Sequence, residues 1–427
     1  MSLPRRLPRL AAFLFLSLLS IRASPDWPLP VTTPAAAGFS AGRLDNLHRT
    51  LAASVDTGRY AGYVVLLARD GQIVDWRAHG WQDVAAHKPM ARDSIVQIYS
   101  MTKIVTSVAV LMLLEDGKLK LDDPVEKFLP ALKDRQVLTG GTADTPELTP
   151  AVRPLVVRDL LTHTAGYYYD ADWSAASPVA IALFQRARIW EATDLDDFVA
   201  RAAKLPLREQ PGTCYRYGIS IDLLGAIVEK ASGQRLDVFL RERIFSPLGM
   251  RDTGFGVAPE NAGRLAKTYQ RGAAGRLEEA PALFGTQAVN DGRGLLSGGG
   301  GLRSTAADYA RFAQMLLNGG QLDGARLLSR KTVELMSQNH IAHLAAPHPF
   351  SRPEFGFGLG VRMVTDLGRS ATLGSPAMFG WDGAATTLVW MDPKERIVAI
   401  LLTQHFPYNQ DDLFATFMNG AYSALVD

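Results

Sequence analysis

Cys214 is the only cysteine in the 427-residue chain, so no internal disulfide can form. No Cys/His spacing suits a zinc site, no Gly-rich loop carries the Lys-Ser/Thr of a phosphate cradle, and no Lys/Arg tract is present. With a net charge of +2, these absences remove structural zinc, P-loop nucleotide binding and nucleic acid as a partner. Gly-x-Ser-x-Gly is also missing, which removes the nucleophile elbow of the α/β-hydrolases. Beyond the N-terminus no apolar run approaches the ~20 residues that a bilayer span needs.

The N-terminus itself has Arg5, Arg6 and Arg9, then the short apolar stretch Leu10 to Ile21, then the small residues Ala23 and Ser24. That order predicts a secretory leader over 1–24, although Ile21 fits poorly before a cleavage point. An exported chain without disulfides points to a bacterial periplasm or the medium.

What the chain does have is one Ser-x-x-Lys, Ser100 to Lys103, opening the apolar run Ile104, Val105, Val108, Leu111, Met112 and Leu114. The run predicts a buried helix stopping at Gly117. Residues three apart share a helix face, so Lys103 is expected beside the Ser100 hydroxyl. A lysine in a buried run is costly unless it is paired, which makes it a candidate base with a depressed pKa.

The hairpin dipeptide Asp70-Gly71 joins two predicted strands, Tyr63 to Ala68 and Gln72 to His79. Ser40 caps a predicted helix over Leu44, Leu47, Leu51 and Val55. The region 139–150, rich in Gly, Thr and Pro, reads as a surface loop. Helices are expected around Phe198, from Ile221 to Gly233 and from Phe239 to Ile244. Gly298 to Gly301 reads as backbone threading. Thr305 and Asp308 predict a capping box. Three late strands, Phe357 to Val364, Thr386 to Met391 and Ile397 to Thr403, precede a closing helix from Asp411 to Ala424. The simplest architecture is α+β. An antiparallel sheet flanked by helices comes from 25–118 and 270–427, and a mostly helical domain, 119–269, is inserted.

Two further stretches suit a serine nucleophile. In Gly212 to Gly218, Tyr215 and Tyr217 are both candidates to share the serine proton. In Gly380-Trp381-Asp382-Gly383-Ala384, a glycine lets a strand edge approach a ligand, and the amides of Ala384 and Ser100 are candidate oxyanion donors. Tyr167, Tyr168, Tyr169, Trp173 and Phe379 are candidates to line an acyl or alcohol pocket.

Together these stretches resemble the serine β-lactamase and penicillin-binding protein superfamily, and within it the class C β-lactamases and family VIII carboxylesterases. Ser100-x-x-Lys103 matches the first motif. Residues 160–166, Leu-Leu-Thr-His-Thr-Ala-Gly, resemble the "LLTHTSG" stretch. Residues 216–225, from Arg216 to Gly225, are similar to the esterases' "RYSxxxDxLG", and 294–312 to "GGGLxSTAxDYxRF". Trp381-x-Gly383 resembles the esterase third motif. The blocks come in family order over nearly the whole mature chain. The register of the second block favours Tyr217 over Tyr215. The chain departs from the β-lactamases at two places. Ile219 stands where Tyr-x-Asn has its Asn, and Trp381-Asp382-Gly383 replaces Lys-Thr-Gly.

The resemblance implies a β-lactamase-like fold and a carboxylesterase with Ser100, Lys103 and Tyr217 as catalytic residues. Ser100 and Ala384 would form the oxyanion hole, and Trp381, Gly383, Tyr167 and Phe379 would bind substrate. It implies no cofactor and no metal. The substrate would be a short-chain ester, with β-lactams such as cephalosporins as a side activity. A class C-like β-lactamase, a D-amino-acid peptidase, an acyltransferase and a non-catalytic binding relative are the alternatives.

Overall fold

The computed structural model describes residues 28–273, 275–281, 283, 294–344 and 352–427. The expected leader, 1–24, lies outside the described residues. No helix among those described is long and apolar enough to cross a membrane.

The frame is an eight-stranded sheet in which every pairing is antiparallel. Its strands are β1 (Gly62–Arg69), β2 (Gln72–Asp83), β3 (Lys88–Pro89), β4 (Phe355–Phe357), β5 (Arg362–Val364), β6 (Phe379–Gly383), β7 (Thr387–Asp392) and β8 (Ile397–Leu402). The spatial order is β4-β5-β6-β7-β8-β1-β2-β3. Strand β8 lies beside β1, with Val64 opposite Leu402 and Leu66 opposite Ile400, so the two ends of the chain meet at the sheet centre. Asp70 and Gly71 both have positive φ, 51° and 75°, which is the twist a two-residue hairpin needs.

Side chains alternate across a strand, and each face has its own core. Val65, Leu67, Ala399 and Leu401 pack with α1 (Ala41–Asp56) and the C-terminal helix α5 (Leu413–Ser423). Val64, Leu66, Val398 and Ile400 pack on the other face. That core includes α2 (Thr102–Glu115), α3 (Ser220–Ser232), α4 (Ala306–Leu317) and the helices of the middle of the chain. Every residue of α2 from Thr102 to Leu113 is buried, as expected of a helix apolar on all sides. It ends in a Schellman motif: Lys118 N–H donates to Leu113 O at 2.9 Å and Gly117 N–H to Leu114 O at 3.0 Å, with Gly117 at φ 69°.

Four local expectations are corrected. The span 357–364 is two strands, β4 and β5. The chain turns between them, with Gly358 N–H donating to Val361 O at 2.7 Å and Gly360 at φ 79°. The 139–150 region is not a loop but part of a hairpin, Gln136–Gly141 with Pro146–Pro150. Only half of the capping box forms. Thr305 Oγ1 accepts from Asp308 N–H at 3.2 Å, but the Asp308 carboxylate turns to Asp252 N–H at 2.7 Å and to Thr253. Ser100 lies in a 3-10 turn, Tyr99–Met101, ahead of the α-helix proper.

Gly218 packs where a side chain has no room: a Cβ there would sit 2.5 Å from Tyr167 O and Tyr168 Cα, both backbone. Gly42, on the exposed side of α1, would meet nothing within 4 Å. Gly218→Ala is therefore expected to lower unfolding free energy by about 1–3 kcal/mol. Gly42→Ala should raise it by roughly 0.5–1 kcal/mol. Urea titrations of the two variants check both signs.

Candidate active site

The first motif is held at a strained bend. Tyr99 has φ 42°, in the left-handed region that bulky residues seldom occupy, and its ring packs edge-on against Phe406 at 5.8 Å. The bend delivers Ser100 to the mouth of α2. One turn on, Lys103 is 1% exposed. Its Nζ donates to Ser100 Oγ at 3.1 Å, to Tyr169 Oη at 3.1 Å and to Gly299 O at 2.6 Å. Burial lowers the Lys103 pKa from the usual 10.5 to about 8, against the opposing pull of the Asp222 and Asp382 charges. The amine is therefore partly neutral in mildly alkaline solution.

The second motif is positioned by backbone. His163, Thr164 and Gly166 offer carbonyls to Arg216 N–H (2.7 Å), Gly212 N–H (2.8 Å) and Arg208 N–H (2.8 Å). These bonds lay the 208–216 segment along the Leu160–Gly166 stretch and carry Tyr217 to the site. Ser174 then ties two tyrosines together. Its Oγ donates to Tyr217 O at 2.6 Å and accepts from Tyr169 N–H at 2.8 Å. The Tyr217 phenol oxygen accepts from Trp381 Nε1 at 3.2 Å, and Tyr217 lines the same cavity as Ser100. Lys103 Nζ lies 4.9 Å from the centre of its ring. Burial nevertheless keeps its pKa above the ordinary phenol value, so near neutrality it holds its proton. Tyr215 is elsewhere, its ring 5.1 Å from Phe357 and 5.9 Å from His163.

The third motif closes on the first through a glycine. A Cβ at Gly383 would collide with the Ile98 carbonyl, and Thr387 Oγ1 donates to that same carbonyl at 3.3 Å. Absence of a side chain lets the end of β6 press against the segment entering Ser100. Ser100 and Ala384 consequently line one cavity, of about 620 Å³.

The structure thus brings Ser100, Lys103, Tyr217 and Ala384 together. Trp381 stands behind Tyr217 with ring centres 5.3 Å apart, and Gly383 acts by close approach. Three expected pocket residues, Tyr167, Tyr168 and Phe379, do not line the cavity, and neither do Trp381 and Gly383, which were expected to bind substrate. Tyr167 is fully buried off the cavity, its backbone pressed against Gly218; Tyr169 lines the cavity instead. Phe379 is buried at the far end of β6, five positions before Ala384, roughly 16 Å away at the rise of a strand.

Sequence reasoning missed Asp222 as a site residue. It is fully buried in the first turn of α3 and lines the cavity. Its Oδ1 accepts from Ser297 Oγ at 2.6 Å and from Gly299 N–H at 2.9 Å, while Oδ2 has no hydrogen-bond partner among the described residues. Burial raises its pKa, and Lys103 opposes the rise. Since Gly299 O receives Lys103, one residue links the carboxylate to the amine. The available signal was an acid interrupting the apolar run Ile221-Asp222-Leu223-Leu224.

Comparison with known proteins places the chain in a family. The chain is 35% identical over 371 residues to protein Rv1367c of Mycobacterium tuberculosis, covering 85% of this chain and 90% of that protein. It is 32% identical to esterase EstB of Burkholderia gladioli, over 78% of this chain and 80% of that one. Among solved structures it matches EstCE1, titled a hydrolase with promiscuous acyltransferase activity, at a TM-score of 0.74 and 27% identity, over 90% of this chain and 98% of that chain. The beta-lactamase family matches residues 47–417, and with that span the chain belongs to it.

Proposed function

We propose that the protein is a serine carboxylesterase that cleaves short-chain esters through an acyl-enzyme on Ser100. The observation that carries this reading is the buried Lys103 amine at 3.1 Å from Ser100 Oγ, with its pKa lowered to about 8. Ser100 Oγ attacks the ester carbonyl while neutral Lys103 takes its proton. The amides of Ser100 and Ala384 receive the oxyanion as it forms. Tyr217, still protonated, donates to the departing alcohol and is reprotonated from the Lys103 ammonium. A water then repeats the sequence on the acyl-enzyme, with Lys103 as base, and releases the acid and Ser100.

An alcohol entering in place of that water would give acyl transfer from the same intermediate. The aromatic lining of the cavity favours this second reading, as does EstCE1, titled a hydrolase with promiscuous acyltransferase activity. Export to a periplasm or the medium is part of the proposal and rests on the leader-like order of residues 1–24.

Ser100→Ala should abolish turnover of p-nitrophenyl butyrate and fluorophosphonate labelling while leaving the thermal transition in place. Retained turnover removes Ser100 from the mechanism. Tyr217→Phe should cost on the order of 10²-fold in kcat, and Tyr215→Phe far less; the opposite ranking would exchange their roles. The kcat/KM profile should rise as pH climbs through about 8, because Lys103 must lose its proton to act. The Asp222 charge favours the ammonium, so Asp222→Asn should move that rise to lower pH. An unmoved limb would disconnect Asp222 from Lys103.

A further inference from the structure

The charged side chains among the described residues lining the cavity are both acids, Asp222 and Asp382. The cations beside them are already engaged within the protein. Lys103 is taken up by Ser100, Tyr169 and Gly299. Arg362, buried, donates to Asp382 Oδ2 at 2.6 Å, and its guanidinium lies 5.1 Å from the ring of Trp381 and 5.0 Å from that of Trp390. Neither lines the cavity. Asp382 is thus the cavity-facing member of an ion pair whose positive member sits among aromatic rings. Its negative charge acts on both Lys103 and Tyr217, favouring their protonated forms.

Half of the remaining lining residues are aromatic. Tyr169 and Trp173 lie 6.0 Å apart, Tyr169 and Trp190 6.0 Å, and Trp173 and Tyr217 6.1 Å. Ring faces are the negative part of the aromatic quadrupole, so they add to the field of the acids rather than offset it. An anionic group entering this space leaves water and meets no unpaired cation among the described residues. An uncharged apolar group meets ring surface and loses nothing.

We propose that Asp382 is a specificity-determining residue, which makes the pocket take uncharged apolar substrate arms and reject carboxylate-bearing ones. This rests on the ester-cleaving reading of the site. Rejection arises from the like charge of Asp382 and from desolvation of the incoming anion, not from size.

The test uses matched esters that differ only in charge. On the acyl side, the mono-p-nitrophenyl ester of suberic acid is compared with its terminal primary amide. On the alcohol side, 4-acetoxybenzoate is compared with 4-acetoxybenzamide. For at least one pair, kcat/KM should favour the amide by about tenfold or more after correction for spontaneous hydrolysis, as expected for like charges in a poorly screened site. Equal rates within both pairs overturn the proposal. Asp382→Asn keeps the shape and removes the charge, and should shrink the preference at least severalfold. A folded variant with undiminished preference overturns the role of Asp382, whatever its absolute rate. Should that variant not fold, the native enzyme's rates on the four esters still decide. The same pairs titrated calorimetrically into Ser100→Ala read binding without turnover. Failure of the esterase reading and failure of charge selection are thereby separable.

Discussion

The site depends on an amine forced out of water. An ammonium surrounded by protein is tolerated only where acceptors and opposite charge replace its hydration, and Lys103 has three acceptors and two neighbouring acids. The replacement is incomplete, and the shortfall is what brings the amine into the range of a useful base. Because each acceptor comes from a different segment, the lysine also acts as the point around which Ser100, Tyr169 and Gly299 are mutually located. In the proposed mechanism the same atom organises the site and performs its proton transfer.

Glycine supplies the other constraint. Gly383 admits the Ile98 carbonyl, Gly218 admits the Tyr167–Tyr168 backbone, and at Gly299 a side chain would strike Asp222. The atoms met are backbone at Gly218, the Thr387 hydroxyl and the Ile98 carbonyl at Gly383, and a buried acid at Gly299. The result is three segments drawn closer than side-chain packing would permit, with reacting groups at their meeting point. In the proposed mechanism Lys103 and Tyr217 divide the proton between them by environment. Burial pushes the lysine down toward neutrality and the phenol up, so one is suited to accept and the other to donate.

Much of this was legible in the residues. Ser100 and Lys103 stand at helical spacing, and a helix of that pitch puts them together. Asp70-Gly71, the Ser40 cap and the Gly233 stop announce their elements by local chemistry alone. What was not legible depends on partners distant in the chain. Nothing in Tyr167-Tyr168-Tyr169 reveals which ring enters the cavity, because that segment has no regular period. Its orientation is set by Ser174 and Gly218. Asp222 reads as the polar face of a helix until the glycine run covers it. Phe379 was placed by nearness in sequence to Ala384, whereas an extended strand carries it away. The split between β4 and β5 turns on the positive φ of Gly360, inside a run apolar enough to pass for one strand.

The seam between β1 and β8, where residue 64 faces residue 402, has a consequence for how the protein comes into being. The proposed nucleophile is translated within the first quarter of the chain, while the strand that completes the sheet beneath it is among the last segments made. A nascent polypeptide therefore carries its serine and lysine for most of synthesis with no closed pocket around them. Contacts of such long range are slow to form, since the intervening loop must be ordered first. Activity is in this way tied to completion of the chain, and a product truncated before β8 would have neither a finished central sheet nor a hydrolytic centre.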